Sequence, residues 1–348
     1  SKPLYESQSF IIIFTMHLSP ILSKKILAWY DNSKRSLPWR VSKKSSKKLY
    51  YRILSEFMLQ QTQVKTVIPY FNRFIKKFKT LKALSKSNEK EVLKLWEGLG
   101  YYRRARSLLA SSKLLVKKYN SKLPKTIEEA KKLPGVGEYT ANALLGLIYN
   151  QPTIAIDGNV KRVFARLLNK KKEKIKYEKL ILLNKEKLFN TNRNADFVEA
   201  LMEFGSLICR PKDPKCSVCC LNKSCKYFKS SKKVNTKEKK MIKEINYDVF
   251  CYLNNNEQIA LTKRNKVSFL KNFNLPEIKK TKKKFSNKSW KFLKNYKNSI
   301  SNLKLNINLY YKFSNTKPLN YNWYFLKNNK EFIPTFTKKI FQQVSILF

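Results

Sequence analysis

The chain of 348 residues carries 74 Lys and Arg against 23 Asp and Glu, a formal charge of +51, with 43% hydrophobic and 13% aromatic residues. That apolar content excludes a disordered tail, and the length favours two domains, each with a moderate core. So basic a surface makes a polyanion, by default nucleic acid, the expected partner, although a Lys- and Asn-rich composition would also spread charge without shaping a groove.

In chain order, Ser9–Met16 (SFIIIFTM) is the only apolar run near the start. It is far shorter than a membrane span and lacks a small-residue cleavage site, so no membrane partner is expected. Residues 1–15 read as a disordered extension. Ser19 and Pro20 suit the N-cap and first turn of a helix. Helical spacing follows at Leu22, Ile26, Trp29 and Tyr30, then at Ile53, Phe57, Val64, Ile68, Phe71, Ile75 and Phe78 with one gap. Further stripes lie at Leu108, Leu109, Leu115 and Val116, at Val160, Val163, Phe164 and Leu167, and at Phe197, Leu201, Phe204 and Ile208. All seven glycines fall between Gly98 and Gly205, and none follows.

Residues 16–229 therefore read as a helical domain and the polar stretch 230–240 as a linker. After it the period changes. Ile245, Tyr247, Val249 and Cys251 alternate, Asn254-Asn255-Asn256 can turn, and Tyr321, Trp323 and Phe325 alternate again. Residues 241–348 are thus expected to form a smaller α+β domain.

Leu133-Pro134-Gly135-Val136-Gly137 joins an apolar helix end to a following helix through two glycines, which permit positive φ and close backbone approach. Such a turn leaves the first N–H groups of the next helix free to hold a phosphate. By itself an ordinary glycine-containing helix–helix turn is the commoner meaning. Likewise, Asp157-Gly158 alone is a turn before a helix, and Glu56 alone a solvated helix glutamate.

Six cysteines without a secretory signal point to a reducing compartment, hence the cytoplasm. Cys209, Cys216, Cys219 and Cys225, spaced C-x6-C-x2-C-x5-C, could ligate one compact centre. A zinc site is the alternative, but zinc ribbons usually bring two C-x2-C knuckles and this stretch has one.

Together LSEFMLQQTQV (54–64), LWEGLGYYRRAR (95–106), LPGVGEYTA (133–141) and AIDGNVKRVFARL (155–167) resemble the endonuclease III superfamily, and within it the MutY-type adenine DNA glycosylases. The resemblance is strong over about 18–227 and weak beyond. It implies a mainly α, two-lobed helix-hairpin-helix glycosylase fold with an iron–sulfur loop, plus a Nudix-like C-terminal domain. It further implies a monomeric, monofunctional base excision repair enzyme that hydrolyses the N-glycosidic bond of adenine mispaired with 8-oxoguanine or guanine in double-stranded DNA.

Carried onto this sequence, Glu56 matches the general acid and Asp157 the carboxylate that stabilises or transiently bonds the sugar C1′, a division of labour known from two-carboxylate glycosidases. Tyr139 stands where the related lyases carry the Lys that forms a Schiff base, and with Asn159 is expected to orient Asp157 by hydrogen bonds. Gln61, Thr62, Leu99 and Tyr101 match residues that fill the gap left by an extruded base. Arg35, Leu37 and Arg40 match residues around the adenine, and Leu133, Gly135, Val136 and Gly137 the phosphate grip. The four cysteines match the ligands of a [4Fe-4S] cluster, with Arg210, Lys212 and Lys215 facing the DNA backbone and Cys220 outside the usual pattern.

Phe313, Ser314 and Asn315 align with a Phe-Ser-His element that reads the oxidised base, Asn replacing His; the sole histidine, His17, is read as solvated. The glycine-free C-terminal domain lacks the metal loop of a Nudix hydrolase. Two rival readings are an endonuclease III-like glycosylase/lyase acting on oxidised pyrimidines, which Tyr139 opposes, and an inactive DNA-binding protein, which Glu56 and Asp157 oppose.

Overall fold

The computed structural model describes residues 20–42, 44–169, 188–189, 192–231, 243–265, 267, 269–281, 285, 287–300, 303–327, 329 and 331–348. The extension 1–15, Ser19 and nearly all of the expected linker lie outside them. Contacts divide the chain into two compact units, residues 1–95 with 101–238, and residues 96–100 with 239–348.

The first unit is helical: α1 (Pro20–Ser33), α2 (Lys48–Leu59), α3 (Val64–Lys77), α4 (Leu81–Ser85), α5 (Glu89–Trp96), α6 (Arg103–Lys118), α7 (Ile127–Ala130), α8 (Glu138–Tyr149), α9 (Gly158–Leu168), α10 (Asn194–Leu207) and α11 (Lys226–Lys229). The stripes read from the sequence become its core. Leu22, Ile26 and Tyr30 of α1 pack with Val160, Val163, Phe164 and Leu167 of α9 and with Phe197, Leu201 and Phe204 of α10. The gap between the second pair of stripes is a real break, since α2 stops at Leu59 and α3 begins at Val64.

Two helix starts matter for the site. The Asp157 carboxylate caps α9 by accepting from Val160 N–H at 2.7 Å. Gly205 lets α10 close on the start of α9: a Cβ there would stand 2.8 Å from Asn159 Cβ. No described helix is long and apolar enough to cross a membrane.

The second unit holds a six-stranded mixed sheet: β1 (Lys243–Asn254), β2 (Gln258–Leu261), β3 (Glu277–Lys280), β4 (Lys291–Ile300), β5 (Leu303–Phe313) and β6 (Asn322–Phe325), with α12 (Thr335–Val344). The strand order is β4-β5-β1-β2-β6, with β3 also paired to β1. β1 runs parallel to β5 over the register Lys243↔Leu303 to Leu253↔Phe313, and the other pairs are antiparallel.

The Asn-rich turn forms as read, its Asn254 Oδ1 accepting from the N–H groups of Asn256 and Gln258. Alternation in β1 holds only at its start. Asp248, Val249, Phe250 and Cys251 are all buried because the rings of Phe285, Trp290 and Tyr310 cover Phe250 on the face that alternation would leave wet. Tyr321 lies just before β6, not in it.

Candidate active site

The hairpin enters α8 through one strained glycine and one open one. Gly135 has φ +79°, and a Cβ there would meet Ser107 Cβ at 2.6 Å and the Phe57 ring at 2.9 Å. Gly137, by contrast, is extended, with no atom within 4 Å of a Cβ position. Positive φ is thus needed at Gly135 alone, while Gly137 leaves the start of α8 open to solvent. Leu133 and Val136 anchor the turn, both buried, and Ser111 Oγ donates to the Pro134 carbonyl at 2.7 Å. Gly135→Ala is expected to destabilise the chain by about 2 kcal/mol or more, from the left-handed backbone and the clash together. A urea melt checks this.

Glu56, on α2, is 6% exposed. Burial raises its carboxyl to about 7; the Arg52 guanidinium opposes that rise, whereas Glu199 and Asp157 add to it. Asp157 differs in every respect. It is half-buried and accepts on both oxygens, from Val160 N–H and from Asn159 Nδ2 at 2.8 Å. One carboxyl is held neutral up to neutrality and the other is dressed as an acceptor, the division that separates an acid from a charge stabiliser.

Tyr139 lies close enough to both carboxyls that they, after burial, raise its hydroxyl well above the usual value. Its expected hydrogen bond to Asp157 is replaced by another: the hydroxyl donates to Met202 Sδ at 3.3 Å. Of the two residues expected to orient Asp157, Asn159 alone bonds it, alongside the Val160 N–H. It is fixed in turn by Arg162, whose Nη2 donates to Asn159 Oδ1 at 2.7 Å while Nε donates to the Cys209 carbonyl at 2.8 Å.

The α2–α3 and α5–α6 loops carry the residues read as a wedge. Gln61 (φ 56°) and Tyr101 (φ 50°) both adopt the left-handed region and both are exposed, Thr62 being half-buried. Strain of this kind at non-glycine residues persists only when the surroundings impose it. Arg104 is part of those surroundings: its Nη1 donates to the carbonyls of Phe57, Met58 and Gln60, and its guanidinium lies 5.3 Å from the Tyr101 ring. Leu99, in contrast, is 6% exposed.

A cavity of about 430 Å³ is lined by Tyr30, Arg35, Leu37, Arg40, Arg52 and Glu199, among others. It brings together all three residues read as surrounding a base and adds charges that sequence reasoning missed. Arg35 holds Glu203 through two side-chain bonds of 2.9 Å and its own backbone N–H, and Arg40 Nη2 adds another at 2.9 Å. Burial alone would raise the Glu203 carboxyl, but these bonds hold it down at about 2. Glu199, one turn earlier, accepts from Tyr30 Oη at 2.6 Å and from Arg52 Nη1. The signal was present in the sequence: two glutamates four apart interrupt the apolar stripe of α10, on one side of the helix.

Glu203→Gln leaves two arginines short of a buried counter-charge and is expected to cost about 3 kcal/mol at neutral pH. Because the folded pKa is depressed, that stabilisation exists above the ordinary carboxylate range and fades as pH falls towards 2. Parent and variant should therefore converge in acid, which unfolding curves at pH 7 and pH 3 would reveal.

Cys209, Cys219 and Cys225 pack against the core of α1, α9 and α10. Cys209 is coupled electrostatically to Cys216, Cys219 and Cys225. Arg166 ties the loop down, with Nη1 donating to Cys209 Sγ at 3.5 Å and to the Arg210 carbonyl at 2.6 Å. Among the described residues no three His, Cys, Asp or Glu side chains converge at single-ion spacing. Lys212 and Lys215 are exposed, while Arg210 turns back to the Asp213 carbonyl at 2.7 Å.

An adenine DNA glycosylase of Buchnera aphidicola subsp. Baizongia pistaciae is 36% identical to this chain over 304 residues, 83% of this chain and 85% of that protein. The chain belongs to the adenine DNA glycosylase family. Residues 54–187 match the model of the HhH-GPD superfamily of base excision DNA repair proteins. The adenine DNA glycosylase of Homo sapiens is 37% identical over 208 residues, 58% of this chain and 38% of that one. Among solved structures, a thermostable thymine-DNA glycosylase superposes with a TM-score of 0.53 at 26% identity, covering 60% of this chain and 95% of that one. The hairpin, Glu56 and Asp157 all lie within the stretch matched to the superfamily, and the helical fold of the first unit is that of HhH-GPD glycosylases.

Proposed function

We propose that the chain is a monofunctional adenine DNA glycosylase that removes adenine opposite 8-oxoguanine or guanine from double-stranded DNA, acting as a monomer inside the cell. The observation that carries the mechanism is the pairing of Glu56, buried and poised near neutrality, with Asp157, a carboxylate accepting two hydrogen bonds. Glu56 gives its proton to a ring nitrogen of the extruded adenine as the C1′–N9 bond breaks. Asp157 stabilises the oxocarbenium-like sugar or bonds C1′ transiently. Glu56, now ionised, takes a proton from water, whose oxygen adds to C1′. Tyr139 offers a phenol where a lyase needs an amine, so no Schiff base forms and the strand stays intact.

Extrusion from the duplex costs a few kcal/mol. Gln61, Thr62 and Tyr101 would fill the gap, Leu99 following only if its side chain emerges, and the cavity at Arg35, Leu37 and Arg40 would receive the base. Open N–H groups at the start of α8, following Gly137, favour a phosphate there. Cys209, Cys216, Cys219 and Cys225 would hold a [4Fe-4S] cluster, since Cys209 is coupled to the other three and Arg166 offers a hydrogen bond to its sulfur. When bound, the cluster supplies iron–sulfur bonds that cross-link the loop.

Residues 16–229 would be the catalytic domain, and residues 241–348, joined through 230–240, a Nudix-like lesion-recognition domain. In the latter Phe313 is 47% exposed and Asn315 is exposed, while Ser314 Oγ bonds the Thr316 carbonyl at 2.7 Å. The deciding experiment is single-turnover base release from duplexes holding adenine opposite 8-oxoguanine, guanine or thymine, with borohydride trapping alongside. Release opposite the first two without a trapped adduct is expected. No adenine release, or a trapped adduct with strand scission, overturns the proposal.

A further inference from the structure

Arg52 has no role in the mechanism so far, yet its position is costly. It lies on α2, a helix buried at every residue from Tyr50 to Met58, and is itself 7% exposed. Its Nη1 donates to Glu199 Oε1, and its Nε has no hydrogen-bond partner among the described residues. Withdrawing two opposite charges from water costs several kcal/mol per ion, and apolar side chains would fill such a site at no loss of stability. A charge kept there calls for a reason other than packing. Its spacing supplies one: Arg52 and Glu56 are four residues apart on one helix and so share a face.

We infer that Arg52 is a positioning residue for Glu56: locked against Glu199 by a buried ion pair, its cation stands one helical turn before the general acid and ties the two buried carboxyls into one charge-coupled unit. The role of Glu56 in this inference rests on the proposed function. Each element around Glu56 contributes a group of known sign. α2 brings Arg52, which favours the ionised form; α10 brings Glu199 and the α9 cap brings Asp157, which oppose it. The Tyr139 phenol of α8 is itself held neutral by burial and by the two carboxyls. Arg40, 3.4 Å from Glu199, and the Tyr30 hydroxyl hold the far side of Glu199. Against three influences that keep the proton on Glu56, burial among them, Arg52 is the one that lets it leave. An acid that never ionised could neither release its proton to the base nor take one from water afterwards.

The test uses the full chain. A neutral side chain at position 52 removes the influence that favours ionisation, so Arg52→Met should move the basic limb of the single-turnover pH profile upward by about one unit. Glu199→Gln should move it downward, Arg52→Lys should keep the parental limb, and Arg52→Met/Glu199→Gln should lie between the two single variants. The double variant buries no unpaired charge, so it stays informative if Arg52→Met folds poorly. A second readout needs no activity: the titration midpoint of the Glu56 carboxyl, followed by carbon-13 NMR and assigned by its loss in Glu56→Gln. If the chain released no adenine, the proposed function would fall while this titration still tested the coupling. An unmoved midpoint in Arg52→Met, or where that variant folds poorly a double variant whose midpoint equals that of Glu199→Gln, would reduce Arg52 to a structural residue and overturn the inference, whatever the loss of rate or stability.

Discussion

Asp157→Asn is expected to lower the single-turnover rate of adenine release about a thousandfold while leaving the fold and DNA affinity near parental levels. The size follows from charge. A carboxylate about 4 Å from a developing cation, at the intermediate dielectric of such a site, is worth about 4 kcal/mol, and each 1.36 kcal/mol is about tenfold in rate. The sparing of the fold follows from the cap. Asn is as good an N-cap as Asp, so its amide oxygen can still accept from Val160 N–H. The bond from Asn159 Nδ2 is lost, since an amide nitrogen cannot accept it, so the melting temperature should fall only slightly. A large loss of rate with near-parental melting and unchanged gel-shift affinity points to the charge, and a variant that excises adenine at the parental rate would remove Asp157 from the mechanism.

Glu56→Gln should act in opposite directions on rate and stability. Without a dissociable proton the rate is expected to fall about 10²- to 10⁴-fold. Stability should rise, and only above mildly acidic pH. The unfolded chain releases the Glu56 proton near the ordinary value of 4.5, whereas the folded chain keeps it to about 7. The parent thus loses stability progressively across that window and recovers none above it. Gln carries no such penalty. The difference approaches a ceiling of about 3 kcal/mol at pH 8 and vanishes below pH 4, at 1.36 kcal/mol per pKa unit. Urea unfolding at the two pH values measures it. In the parent, the same titration predicts that turnover falls as pH rises past 7.

What could be read from the sequence divides along a physical line. Local requirements were visible: the spacing of Ile26, Phe164 and Phe204 that builds the helical core, the glycine that Gly135 has to be, the turn before a helix at Asp157-Gly158, and the four-cysteine loop. Glu56 and Asp157 were singled out by the family resemblance, because each sits in a contiguous motif. Relations between distant segments were not visible. Arg52 and Glu199 stand 147 positions apart, and nothing in either neighbourhood announces that they meet. Tyr139 was read as a partner of Asp157, but whether a phenol reaches a carboxylate or a thioether depends on how α8 and α10 settle, and Met202 took the bond. That Leu99 is buried was equally illegible, since burial is a property of the folded surroundings. In β1 the alternation failed at Asp248–Cys251 for the same reason, since aromatic rings from later segments of the chain closed over the outer face.

The fork of Arg162 joins the cysteine loop to the catalytic carboxylate with two side chains: the Cys209 carbonyl holds the guanidinium, the guanidinium holds Asn159, and Asn159 holds Asp157. A linkage so short transmits aim instead of energy. A chain whose loop had loosened would lose a support for the direction in which one oxygen atom of Asp157 points. The loop would then act as a safety catch, since a glycosylase that misfired would strip bases from intact DNA.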